Sequence, residues 1–268
     1  MHRVSDVMNK GTHRRLYVVV CPYRSGTDET QQVETTTTIE VLTMSIHDIK
    51  TLKAAQEIAG KFSDKNSKMP GSTFAISAKE CNVGGKLANV KGSVCDRCYA
   101  LKLQKLRPSV DKGWTSNYLA ATKMIAENAD KWAAACAFQI NRMAGKTGEM
   151  FHRWFDSGDL QSVEMLAAIV KTCELTPEIQ HWLPTREAKI VKTFTKAGGV
   201  IPSNLVIRIS STMIGDAPIS GYANTSTVHR KGDEPTGHIC PASQQGGACG
   251  DCRACWTPSV DNVSYPLH

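Results

Sequence analysis

From Ile46 onward, Ile49, Leu52, Ala55, Ile58 and Phe62 recur three or four positions apart, which predicts a helix over about 47–62. Lys68-Met69-Pro70-Gly71 interrupts it, and the apolar run Thr73 to Ser77 reads as the first strand of a sheet. Trp114 to Met143 is alanine-rich with helical periodicity, a long helix opened by Thr115 and Ser116 as caps. The chain then alternates. Strands are expected at Phe151 to Phe155, Ile179 to Leu183 and Leu205 to Ile209, with helices at Ser162 to Cys173 and Glu187 to Lys196, the second ended by Gly198-Gly199. Strand and helix units in this order imply an α/β fold with parallel strands and right-handed crossovers, an incomplete parallel (βα) barrel whose chemistry lies in the loops after the strands.

The two ends break the pattern. Residues 1–43 hold a basic start, a short strand-like run Leu16 to Val20 and the polar tract Ser25 to Thr38, and read as a poorly ordered extension. Residues 44–225 form the α/β partial barrel. Past Ser210 glycine, proline, serine and threonine dominate, and 226–268 is expected to be a loop-rich, cysteine-rich tail with little regular structure.

A chain of 268 residues can bury a substantial core without staples. No apolar run is long enough to cross a bilayer, and the stretch Leu16 to Cys21 is too short for a signal-peptide core, so a cytoplasmic location and no membrane partner are expected. In that setting ten cysteines argue for metal rather than for disulfides.

Seven of the ten fall into two groups. Cys81, Cys95 and Cys98 are spaced C-x13-C-x2-C in the loop after the first expected strand, with Gly84, Gly85 and Gly92 leaving that loop free to wrap an ion or cluster. Three thiolates leave one coordination position open, which distinguishes a catalytic from a structural site. Cys240, Cys249, Cys252 and Cys255 are spaced C-x8-C-x2-C-x2-C. Two consecutive x2 spacings resemble the run found in bacterial ferredoxins and favour an iron–sulfur cluster, since zinc commonly divides its cysteines into two separated knuckles; zinc is the alternative. Cys21, Cys136 and Cys173 lie outside both groups and read as small buried residues.

Asp156 and Asp159 flank Ser157-Gly158 after a strand, placed to act as acid/base groups or equally to cap the following helix. His238 stands two residues before Cys240. Between residues 86 and 107, Lys86, Lys91, Arg97, Lys102, Lys105 and Arg107 face the single acid Asp96, a strip able to hold a nucleic-acid backbone or simply to be solvated. No phosphate-binding glycine loop and no nucleophile elbow is present.

The order Cys95-Asp96-Arg97-Cys98-Tyr99-Ala100, then Arg153-Trp154-Phe155-Asp156-Ser157-Gly158-Asp159, then Cys240-Pro241-Ala242 and Cys249 to Trp256 resembles the phage gene product 88 family. Its first motif is similar to that of phage proteins related to the radical S-adenosylmethionine (SAM) enzymes, although their usual spacing is C-x3-C-x2-C. The resemblance implies a radical SAM-type partial barrel. Cys81, Cys95 and Cys98 would hold a [4Fe–4S] cluster with an iron open to SAM, and the tail group would hold an auxiliary cluster. Ser157 and Gly158 would contact the SAM amino group, Ser210 and Ser211 the ribose, and Arg186 and Arg208 the carboxylate. Asp156 and Asp159 remain the candidate catalytic pair. Such an enzyme would need an electron donor and acts on an unknown substrate. A second class of function also fits the residues: a metal-stabilised, zinc or iron–sulfur, nucleic-acid-binding module without catalysis.

Overall fold

The computed structural model describes residues 4–8, 15–20, 36–41, 48–64 and 66–267, and the chain divides into two compact units, Met1–Ser45 and Ile46–His268. In the first unit β1 (Val4–Met8), β2 (Arg15–Val20) and β3 (Thr36–Val41) form an antiparallel sheet in the order β1-β2-β3. The remainder of residues 1–43, expected as a poorly ordered extension, lies outside the described residues; the threonine run at the start of β3 is rich in β-branched residues, which suit a pleated surface, and Thr36 to Thr38 pair with Val18 to Val20 of β2. Cys21 lies outside the described residues.

The second unit is a mixed α/β body round a parallel seven-stranded sheet. Its strands are β4 (Ser72–Phe74), β5 (Phe151–Trp154), β6 (Gln180–Thr185), β7 (Leu205–Ser210), β8 (Thr225–His229), β9 (His238–Ile239) and β10 (Asn262–Pro266), in the order β4-β5-β6-β7-β8-β10-β9. Each neighbouring pair runs parallel, and β4 and β9 are the two edges of an open sheet. Helices α1 (Leu52–Ala59), α2 (Asn82–Leu87), α3 (Tyr99–Leu106), α4 (Pro108–Thr147), α5 (Val163–Glu174) and α6 (Ala188–Lys196) complete it.

Local chemistry explains the helix boundaries. Thr51 Oγ1 accepts from the Ala54 amide at 3.1 Å and Ser162 Oγ from Met165 at 3.1 Å, so each caps its helix. The long helix begins earlier than its periodicity suggests, because Pro108 suits the first turn, and Thr115 and Ser116 lie inside it. It breaks at Asn128 (φ −163°, ψ 90°), whose side chain accepts from Lys131 N at 2.9 Å and restarts the helix.

Alternation along β5 separates the two faces of the sheet. His152 and Trp154 are fully buried in the main core with α4, α5 and Leu183. Phe151 meets Trp256 and Arg153 lies over Trp182 on the opposite side, where a second apolar cluster joins the sheet to the tail through Trp256, Val263, Cys240, Cys252 and Tyr265. The tail thus folds onto the sheet and contributes three of its strands. Arg208 fastens it there: 0% exposed, its guanidinium donates to the carbonyls of Ala254, Cys255, Thr257 and Val260 at 2.7–3.1 Å.

Candidate functional site: two thiol groups on one sheet

The loops after four successive parallel strands meet round the first cysteine group. Beyond β4, Ile76 donates its amide to Ser157 O at 3.0 Å and Asp156 donates to Phe74 O at 3.2 Å, so the loop after β5 lies over the end of β4. Val94 donates to Thr212 O at 2.9 Å and Ile214 to Gly92 O at 3.1 Å, drawing the loop after β7 against the cysteine loop. Glu187, after β6, accepts from Val83 N at 2.7 Å, and Gln104 of α3 accepts from Ala78 N at 2.7 Å while donating to Ser77 Oγ at 3.2 Å.

Cys81 precedes α2, Cys98 precedes α3 and Cys95 lies between them. Gly84 of α2 faces the sulfurs: a Cβ there would stand 3.6 Å from Cys95 Sγ and 3.8 Å from Cys81 Sγ. Burial pushes the Cys81 thiol up to about 12, with Asp159, Cys98 and Cys95 adding to the effect and Arg186 opposing it. Cys95 is raised by burial too, and Arg186 again opposes. Unaided, these thiols are neutral, and a bound cation would be needed to hold them as thiolates.

Polar atoms without partners surround this group. Asp156 Oδ1, Ser157 Oγ and Arg186 Nε are buried and unbonded among the described residues, so each has hydrogen-bonding capacity that a ligand or an ordered water would satisfy. Desolvation raises the Asp156 carboxyl, with Arg153 as the first opposing influence. Phe155, the residue before it, has φ 51°, strained for a bulky side chain. Gly158 (φ 85°) is required, since a Cβ would fall 2.3 Å from Ile76 Cγ1. Asp159 is differently placed: Oδ1 accepts from Leu160 N and Thr185 Oγ1, and Oδ2 accepts from Arg186 N at 3.0 Å. It ties the loops after β5 and β6 together, and desolvation raises it to about 6.

In the tail, Cys240 N donates to Ser264 O at 2.9 Å, Cys249 N to Lys68 O at 2.7 Å and Cys252 N to Cys249 O at 3.0 Å. Cys252 Sγ is 3.4 Å from His238 Nε2, and Cys255 Sγ is 3.1 Å from the Tyr265 hydroxyl. Burial pushes Cys255 up to about 12. Burial raises Cys240 and Cys249 as well, with Cys252 adding to both and Cys240 adding to Cys249 and Cys255. The nine cysteines of the described residues are all free of disulfides. No group of three or more His, Cys, Asp or Glu residues among the described residues is arranged to hold a metal ion.

Arg153 stands between the two groups. Burial raises Tyr99 and Asp156 on one side and Cys249, Cys255 and Tyr265 on the other, and the Arg153 charge opposes the rise at each. Nη1 lies 3.1 Å from Met69 Sδ, the guanidinium lies over Trp182 at 4.6 Å, and Nε has no partner.

A model of the gene product 88 family matches residues 42–258, taking in both cysteine groups and every strand between them. The chain belongs to the gene product 88 family. It is a phage protein family. No curated protein and no solved structure matches the chain.

Within this family member the remaining expected residues divide. Arg186 lies beside Cys81 and Cys95. Arg208 does not meet the site from its strand: its guanidinium is occupied by the tail carbonyls, which corrects its expected role at a SAM carboxylate. Ser210 Oγ accepts from Ser226 Oγ at 3.0 Å, and Ser211 Oγ donates to Ala217 O at 3.0 Å, so both hydroxyls already have partners within the protein. Cys136 and Cys173 are fully buried in the helical core. Lys86, Lys91, Arg97, Lys102, Lys105 and Arg107 are all exposed. Sequence assigned no functional role to Arg153, Tyr265, Gln104 or Glu187. Only Arg153 left a signal, as a charge inside an apolar strand run. A hollow of about 490 Å³ beside α6, lined by Val191, Ile201, Ile207 and Tyr222, shares no residue with either cysteine group. No helix among the described residues is long and apolar enough to cross a membrane.

Proposed function

We propose that the two cysteine groups hold iron–sulfur clusters and that the protein is a radical SAM-like enzyme. One observation carries the reading: loops after β4, β5, β6 and β7 converge on three thiols, Cys95 buried and Cys81 and Cys98 half-buried, next to polar atoms that lack partners, Asp156 Oδ1, Ser157 Oγ and Arg186 Nε. The donor set fits, since soft thiolates select iron–sulfur clusters and zinc. The open parallel sheet with strands in near-sequential order supports the partial-barrel type. The thiols must draw together on binding, as cysteine sites commonly do when metal and folding are coupled.

Cys81, Cys95 and Cys98 would hold the first cluster, which would supply one-electron reduction of SAM with electrons from an external donor. The chain's own groups do the rest. Arg186 presents a guanidinium nitrogen for a carboxylate. Ser157 Oγ and Asp156 Oδ1 offer hydrogen-bonding positions for an ammonium group. Asp159 holds the Arg186 main chain in place. Cys240, Cys249, Cys252 and Cys255 would hold the auxiliary cluster, with the Tyr265 hydroxyl and His238 beside its sulfurs.

The test is the electron paramagnetic resonance spectrum of the anaerobically reconstituted, dithionite-reduced protein with and without SAM. SAM should alter the signal of the first cluster, and Cys98→Ser should abolish that response. A spectrum unchanged by excess SAM would contradict the proposal.

A further inference from the structure

Between Lys86 and Lys112 the chain has seven cations and two acids, a net +5 of the formal +7 carried by the whole protein. Both acids are engaged: Asp96 Oδ2 accepts from Gly92 N at 3.1 Å, and Asp111 receives Lys79 and Gln104. Lys86, Lys91, Arg97, Lys102, Lys105 and Arg107 are exposed and form no ion pair among the described residues. Elsewhere on the second unit Lys53, Lys123, Lys146, Lys171 and Arg230 each meet a carboxylate. The segment that carries the first cysteine group therefore presents six exposed cations with no carboxylate partner among the described residues.

An aromatic ring stands in the middle of it. Tyr99, next to Cys98, is 61% exposed, yet its hydroxyl donates to Asp156 O. Both observations describe a ring lining the mouth of a recess, its tip fixed among protein atoms and its face open to solvent. On α3, spacings of three and seven place Tyr99, Lys102 and Leu106 on one side, where all are exposed.

We infer that the exposed basic segment with Lys86, Lys91, Lys102, Lys105 and Arg107 binds single-stranded nucleic acid, with one base stacked on Tyr99 beside the first cysteine group. Distributed lysines neutralise successive phosphates by releasing counterions, and an open ring accepts the face of any unstacked base. A duplex keeps its bases stacked on one another and cannot use the ring. An acidic polypeptide would satisfy the lysines and leave Tyr99 idle. The binding stands without the cluster reading.

The measurement is fluorescence anisotropy of a labelled twenty-nucleotide oligothymidylate with the full chain, repeated with a duplex of equal length and with polyglutamate as competitors. The oligothymidylate should bind more tightly than either. Lys102→Glu with Lys105→Glu should reduce the slope of log K against log salt by about 1.4. Tyr99→Ala should weaken oligothymidylate binding about tenfold while leaving duplex binding within twofold, and Tyr99→Phe, which keeps the ring, should bind like the unaltered protein. Equal affinity for polyglutamate, no effect of Tyr99→Ala, or no binding at low salt would overturn the inference. Because the assay does not read iron, its failure is distinguishable from failure of the cluster reading.

Discussion

His152 and His181 stand opposite one another on β5 and β6, both completely buried, with ring centroids 5.5 Å apart. His152 Nδ1 lies 2.8 Å from Ser72 Oγ and His181 Nε2 lies 2.8 Å from Thr176 Oγ1, while the other nitrogen of each ring has no partner. Desolvation pushes His181 down to about 3 and His152 well below its ordinary value, with His181 adding to the second effect. Both pKa values are depressed in the folded state, so the unfolded chain takes up protons first. The stability these residues allow is fully present above about pH 6.5 and is lost as pH falls towards 3. At pH 5, His181 alone should cost about 2 kcal/mol relative to neutral pH, from about 1.4 kcal/mol per pH unit. His152 adds in the same direction. Urea unfolding at pH 7.5 and pH 5 measures the loss, and comparison with His181→Gln isolates it, because cysteine chemistry is common to both proteins. The pH-dependent loss should be about 2 kcal/mol smaller in the variant. Identical pH dependence in the two proteins would refute the reasoning.

Three further outcomes follow from the geometry. Gly158→Ala forces an alanine to φ 85° with its Cβ 2.3 Å from Ile76 Cγ1 and should destabilise the protein by at least about 2 kcal/mol in chemical denaturation; a loss under about 0.5 kcal/mol would contradict the loop placement. Arg208→Met leaves the tail carbonyls without their donor and should cost on the order of 3 kcal/mol, seen as faster proteolysis between residues 240 and 261; unchanged resistance would show that the arginine does not fasten the tail. Tyr265→Phe removes the hydroxyl 3.1 Å from Cys255 Sγ and should lower the reduction potential of one of two clusters, since hydrogen bonds to sulfur help set it; unchanged potentials would place Cys255 outside a cluster.

Much of the sheet was legible because β5, β6, β7, α5 and α6 carry apolar periodicity with clear caps and glycine stops. Strands β8 and β10 were not, for a physical reason. Val263 apart, their buried positions are hydroxyls and amides that satisfy one another: Ser226 with Ser210, Thr227 with Ser264, Asn262 with Thr225 and Thr227. A strand buried through paired polar groups lacks a hydrophobic period and reads as loop. Helices α2 and α3 are short, and cysteine and glycine spacing masks them. Cysteine spacing drew attention to both groups, and their place on one sheet followed from strand order. Arg153 between them and Arg208 beneath the tail depend on which face of a strand meets which later segment, a long-range fact that local pattern does not carry.

The most direct measurement of the central claim is the iron, acid-labile sulfide and zinc content of the protein purified without oxygen. Two separate thiol groups lead to a brown protein with close to two clusters' worth of iron and sulfide per chain, halved when Cys252 and Cys255 are both replaced by serine. Stoichiometric zinc without sulfide, or a colourless protein free of metal, would contradict it.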